Sequence, residues 1–264
     1  MALDNNKNNF LRGLSSSLFL LVVLAACVTT ESGGMIGSAD EAKALEASVQ
    51  LARSYIRDGN WNAAKRHLKK ALDYDSENAE TYEALALVFQ NTGELELAET
   101  NYKKSLTLNS DSSRVHNNYG AFLFQLQRYK EAAKQLEITV EDNLYPNRVA
   151  AFISLGRCYI LLDQYEDARD QYRRAYLMNR NDHALAFELA DVHFLLEEYA
   201  AAQQYYDSYR NNTQQQPARA LWLGIRLADA FNNSDAVSSY SLALKNLYPT
   251  SSEYLEYQKV FSHE

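Results

Sequence analysis

The chain has 264 residues, 23% of them charged and 47% hydrophobic, with a net charge of −8. An acidic chain without a basic cluster is a poor ligand for nucleic acid or anionic lipid, because both present negative charge. Only 9 glycines and 3 prolines interrupt it, so few positions force a helix to break, and the sequence reads as all-α.

The first 26 residues differ from the rest. A short polar start carrying Lys7 and Arg12 precedes an apolar run from Leu18 to Ala26, which ends in Leu24-Ala25-Ala26-Cys27. The run is far shorter than the roughly 20 residues that span a bilayer, so it reads as the core of a signal peptide. The tetrapeptide resembles the lipobox of bacterial lipoproteins, which implies cleavage before Cys27 and acylation of its thiol. Mature lipoproteins of this class carry three acyl chains; one chain alone anchors only marginally, at about 0.8 kcal/mol per buried methylene. Val28 follows the cysteine where the general pattern places Asp for inner-membrane retention, so the resemblance implies sorting to the outer membrane. Residues 1–26 carry a net +1, which leaves the chain after Cys27 at −9. With Cys27 acylated, Cys158 is the one cysteine left; it reads as a small buried hydrophobe, and no disulfide forms within a chain. Residues 27–44, rich in Gly, Ser and Thr at their start, are expected to act as a flexible tether.

From residue 45 a period of about 34 residues takes over. Ala64, Ala98, Ala132, Ala168, Ala202 and Ala236 form one register of small residues, and Ala52, Ala86, Gly120, Gly156, Ala190 and Gly224 form a second in phase with it. A helix–turn–helix unit of this period, with small residues where its two helices cross, is the tetratricopeptide repeat. Six repeats follow at 45–78, 79–112, 113–148, 149–182, 183–216 and 217–250, and residues 251–264 form a capping segment with Ser251 as its N-cap. The predicted architecture is a right-handed α-solenoid of six repeats with a C-terminal capping helix. Large residues fill the crossings: Leu51, Leu85, Tyr119, Leu155, Leu189 and Leu223 before the small position, and Leu68, Tyr102, Leu136, Tyr172, Tyr206 and Tyr240 on the second helix. Turns read clearly at Asp58-Gly59-Asn60 and Asn91-Thr92-Gly93, and less clearly at Asp163-Gln164 and Glu197-Glu198. The third-to-fourth junction, Val140 to Pro146, carries two extra residues that lengthen either a helix or its exit loop.

Three stretches add a narrower resemblance. Leu144-Tyr145-Pro146, the run from Leu223 to Ala228 and the ending from Leu247 to Tyr254 are similar to the pilotin lipoproteins of type IV pilus biogenesis, the PilF/PilW family. That resemblance covers nearly all of residues 18–258. It implies an outer-membrane lipoprotein on the periplasmic face that binds secretin subunits and promotes their localisation and multimerisation. A second scaffold role stays open from the repeats alone, an outer-membrane adaptor for peptidoglycan enzymes or proteases.

Nothing in the residues points to catalysis or to a cofactor beyond the covalent lipid on Cys27. The histidines at 67, 116, 183, 193 and 263 form no pair at metal-ligand spacing, and there is no phosphate loop, nucleophile elbow or Cys/His constellation. A small-molecule substrate has no candidate site. The chemistry is that of a surface. First helices of such repeats line the concave groove, and the repeat positions place Phe124, Ile153, Ile160, Leu161, Phe187, Phe194, Leu195, Leu221 and Ile225 there. A contiguous apolar surface of this kind marks a protein-binding site, unless the superhelix closes and buries part of it. A second candidate patch combines Val49, Ile56 and Leu87 with Arg53, Arg57, Glu80 and Glu83. A clamp for a peptide C-terminus built on Arg53 and Asn117 is disfavoured, because Glu80 and Glu83 lie between them. Tyr205, next to the core Tyr206, is expected on the surface.

Overall fold

The computed structural model describes residues 36–261, so Cys27, Val28, the signal peptide and the tether up to residue 35 lie outside the described residues. Among these residues there are thirteen helices and no strand. They run α1 (Ile36–Arg57), α2 (Trp61–Tyr74), α3 (Ala79–Thr92), α4 (Leu95–Leu108), α5 (Ser113–Gln125), α6 (Tyr129–Glu141) and α7 (Arg148–Ile160). Then come α8 (Tyr165–Met178), α9 (His183–Leu195), α10 (Tyr199–Asn211), α11 (Ala218–Ala230), α12 (Ser234–Leu247) and α13 (Ser252–Phe261). Successive pairs from α1/α2 to α11/α12 are the six repeats, stacked as a right-handed superhelix of first helices inside and second helices outside. Helix α1 begins at Ile36, so residues 36–44 are helical rather than tether. The reason is local: Ala39, Ala42, Ala44 and Ala47, with Glu41, Lys43 and Leu45 between them, make a strong helix-forming run.

The small-residue registers mark the crossings. Ala52, Ala64, Ala86, Ala98, Ala132, Ala168, Ala190 and Ala202 have no accessible surface at all, and Leu68, Tyr102, Leu136, Tyr172 and Tyr206 fill the space beside them. Leu51 departs from this, at 42% exposed. Its equivalents pack on the second helix of the preceding repeat, and the first repeat has none before it.

Each turn between paired helices places one residue in the left-handed region: Gly59, Gly93, Gln127, Asp163, Glu197 and Asn232. The non-glycine turns therefore adopt the same geometry as the glycine ones. The two extra residues of the third repeat lie in the exit loop, where the Asp142 carboxylate accepts from Ser113 Oγ (2.6 Å) and Leu144 N (2.9 Å). Tyr145 turns inward against the core, while Leu144 stands 90% exposed.

The sixth repeat breaks the sequence register by one residue. In every turn an amide bonds back to a carbonyl five residues earlier, as from Glu198 to His193 (2.9 Å); in the last repeat the bond runs from Asn233 to Ala228 (2.8 Å), where the 34-residue spacing pointed to Leu227. Beyond that turn Leu244, at 35 residues from Tyr209, is the buried residue of α12, whereas Ala236 and Tyr240 are only half-buried. Helix α13 is N-capped by Ser251, whose Oγ accepts from Tyr254 N (3.1 Å). It closes the array by setting Tyr257 and Phe261 edge-on to Trp222 of α11, with ring centroids 6.4 and 6.3 Å apart.

Candidate protein-binding groove

Four successive first helices build one cavity on the concave side. Phe124 of α5, Arg157, Ile160 and the C-cap Leu161 of α7, Glu188, Asp191 and Val192 of α9, and Arg219 of α11 surround about 250 Å³, with Tyr172 reaching in from α8. Of the sequence candidates, Phe124 and Ile160 meet here and are half-buried, with Leu161 49% exposed beside them. Ile153, one turn pair earlier on α7, is half-buried against the same core.

Three of the other candidates are not exposed. Phe187 is buried: its ring packs on Tyr209 (5.1 Å) and lies under the Arg219 guanidinium (4.8 Å). Leu221 and Ile225 are buried against Leu244, in a cluster to which Tyr254, Tyr257 and Phe261 of α13 add. Their placement follows from the register slip, because one extra residue turns a helix by about 100° and carries both from the groove side to the packed side. The same slip places Trp222 at the groove position that the spacing had given to Leu221. Trp222 lines a second cavity of about 290 Å³ with Phe194, Tyr199, Arg226 and Phe261. Phe194 is half-buried, covered in part by Arg226 at 4.5 Å. Trp222 was missed because the alanine spacing holds at 34 through Ala236; the readable signal was the tryptophan itself, one residue off the groove register.

In the N-terminal half, charge replaces apolar surface. The Glu83 carboxylate is fully buried on α3, accepting from Arg53 Nη2 (2.9 Å) and Asn118 Nδ2 (2.9 Å) and paired with Arg114 Nη2 (2.8 Å). Glu80 adds a contact to Arg53 at 3.3 Å. A buried carboxylate needs such partners, since an unpaired charge costs several kcal/mol to desolvate. Both arginines are therefore committed within the protein, across three repeats. The second candidate patch does not form as expected: Val49 is buried, and Ile56 and Leu87 are half-buried against their own repeat cores. Tyr205 is likewise not a free surface residue, because it stacks on His193 (5.3 Å) and meets Tyr176 edge-on (5.8 Å).

The central cavity carries a partly balanced set of charges. Arg219 pairs with Glu188 (3.0 Å) and Asp191 (2.6 Å), and Arg226 reaches the other oxygen of Asp191 (3.2 Å). Among the described residues Arg157 has no carboxylate partner, because both carboxylates of the lining are paired with Arg219. Burial pushes the Tyr172 phenol up from its usual value, so it is a neutral hydrogen-bond donor at all physiological pH. Cys158 is fully buried in the core, and burial pushes its thiol up to about 12, which disfavours the reactive thiolate. No group of His, Cys, Asp and Glu among the described residues is arranged to hold a metal.

Two tetratricopeptide repeat models match the chain, one over residues 111–181 and the other over 49–113, 84–137 and 162–220. The chain is 40% identical over 245 residues to the type IV pilus assembly protein PilF of Pseudomonas aeruginosa, covering 91% of this chain and 96% of that one. It belongs to the type IV pilus assembly PilF family. The solved structure of P. aeruginosa PilF matches with a TM-score of 0.70 over 83% of this chain and 99% of its own. PilW, a widely conserved type IV pilus biogenesis factor, matches at 25% identity with a TM-score of 0.64, over 80% of this chain and 97% of its own. The tetratricopeptide protein YrrB, at 21% identity and a TM-score of 0.64, shares the fold. A PilF-family protein with such a groove is a type IV pilus assembly protein built for protein contacts.

Proposed function

We propose that the protein is a non-enzymatic pilotin. Acyl chains on Cys27 hold it on the periplasmic face of the outer membrane, and its concave groove receives subunits of the pilus secretin, promoting their localisation there and their assembly into multimers. Membership in the PilF family supports the pilus context. The observation that carries the binding reading is the central cavity, where four successive repeats contribute to one opening with an apolar wall of Phe124, Ile160 and Leu161. Apolar surface left open in a concave site is the usual mark of a protein-binding face.

The test is complementation of a deletion strain, scored by secretin multimers in outer-membrane fractions and by twitching. The parent gene restores both. Leu161→Asp, which places a charge in the cavity at a half-exposed position, is expected to yield a folded, membrane-attached protein that restores neither. Full restoration by that variant would remove the groove from the mechanism.

A further inference from the structure

The central cavity holds two hydrogen-bond donors that the protein leaves without an acceptor. Tyr172 is 1% exposed, and its ring crosses from α8 over Gly156, the position where any Cβ would collide with it, to bring the phenol to the cavity. The equivalent tyrosines are satisfied internally: Tyr102 Oη donates to Gln90 Oε1 (2.8 Å), and Tyr206 Oη reaches Gln216 Oε1 (2.9 Å) and the Ala220 carbonyl (3.0 Å). Among the described residues Tyr172 Oη makes no hydrogen bond. Arg157, on the same rim, has no carboxylate partner either. The two carboxylates of the lining, Glu188 and Asp191, are both paired with Arg219, and Arg226 takes a further oxygen of Asp191 from outside the cavity, which leaves Arg157 as the one cation of the lining without a carboxylate.

Tyr172 Oη opens on the cavity and Arg157 is exposed at its rim, so both donors are free to meet the acceptor of a ligand that enters there. We infer that the groove recognises a protein segment in which an Asp or Glu side chain lies beside a large apolar side chain. The carboxylate accepts from Arg157 and Tyr172 Oη, and the apolar neighbour covers Phe124, Ile160 and Leu161. The unpaired Arg157 guanidinium fits an anion, and the volume, about 250 Å³, fits one large side chain together with a carboxylate. This inference rests on the groove reading above and names the chemistry of what the groove takes.

The test uses the full-length chain in detergent with purified secretin subunit, followed by overlapping peptides that cover the secretin sequence. Arg157→Gln and Tyr172→Phe are each expected to weaken binding about tenfold, the usual worth of a hydrogen bond to a charged group. Melting temperatures should match the parent, because neither group has an internal partner to lose. The tightest peptide is expected to contain an acidic residue next to a Leu, Ile, Met or Phe, and its Asp→Asn or Glu→Gln version should bind the parent about tenfold more weakly while binding Arg157→Gln unchanged. If Leu161→Asp abolishes binding while Arg157→Gln, Tyr172→Phe and the amide peptides bind like their parents, the carboxylate is refuted and the groove stands. If Leu161→Asp also binds normally, the groove reading falls with it.

Discussion

A Cβ built on Gly156 would come 2.6 Å from Tyr172 Cε1, closer than any carbon contact allows. The glycine is therefore a requirement of the tyrosine, and the two residues set the spacing of α7 and α8. Gly156→Ala is expected to lower stability by about 1–3 kcal/mol through overpacking, and Gly156→Leu by more. Thermal unfolding measures it; a midpoint equal to the parent would mean that the ring moves aside freely.

Glu197 offers the opposite change. It holds a left-handed turn at φ 59°, where a side chain costs roughly 1–2 kcal/mol that glycine avoids, less glycine's larger entropy in the unfolded chain. Glu197→Gly is expected to stabilise the protein by about 0.5–1 kcal/mol. Denaturant titration reads this as a higher midpoint at unchanged slope.

Phe187 and Leu161 separate folding from binding. Phe187→Ala removes a buried ring and is expected to cost about 3 kcal/mol of stability. Leu161→Asp touches a half-exposed position and is expected to leave the melting temperature within about 2 °C of the parent, a change of under 0.5 kcal/mol. Circular dichroism melts on both variants decide the matter, and equal losses would refute the division between packed and open groove residues.

Acid stability should depend on Glu99. Its carboxylate takes two hydrogen bonds from Arg128 (2.7 and 3.1 Å), with Lys103 and Tyr119 adding contacts, and is held down at about 2 against the usual 4.5. A depressed carboxylate stabilises the fold above its unfolded value and loses that contribution as pH falls through its folded value. Glu99→Gln is thus expected to cost about 1 kcal/mol at pH 7 for this surface network, with the gap to the parent closing between about pH 5 and pH 2. Melts across that range test it, and a gap that stays constant with pH would show that the ion pair contributes nothing.

The anchor is tested apart from the groove. Cys27→Ala is expected to leave the protein without acyl chains and outside the membrane fraction, as mass spectrometry and fractionation would read. Val28→Asp should move the protein toward inner-membrane fractions on a density gradient. Unchanged fractionation of either variant would refute the corresponding signal.

The repeat architecture was legible because its cause is steric. Where two helices cross at short range only Ala or Gly fits, and residues such as Ala64, Ala98 and Ala168 have no surface at all. The groove was less legible, since a position in the repeat tells which way a side chain leaves its helix and not what the next repeat lays over it. Phe187 leaves α9 toward the groove and is then covered by Arg219 and Tyr209. Val49 is hidden in the same sense, buried although its repeat position faces the concave side. Leu221 and Ile225 were misplaced, and Trp222 missed, for another reason: the alanine beat continued through Ala236 after the backbone had gained a residue.

The extra residue ahead of the sixth repeat has a meaning for how the array could grow. Solenoids lengthen by duplicating units whose two faces are interchangeable, so that any copy can sit beside any other. Here the slip brings Gly224 toward the preceding repeat, where Leu155 and Leu189 stand in earlier ones, and Tyr206 Oη already occupies the space its side chain would need. A duplicated sixth unit would set a glycine against whatever preceded it, and only a neighbour with a tyrosine reaching as far as Tyr206 would fill the gap. The last repeat is thereby fitted to its own predecessor, whose Tyr206 fills the place that a side chain at position 224 would take.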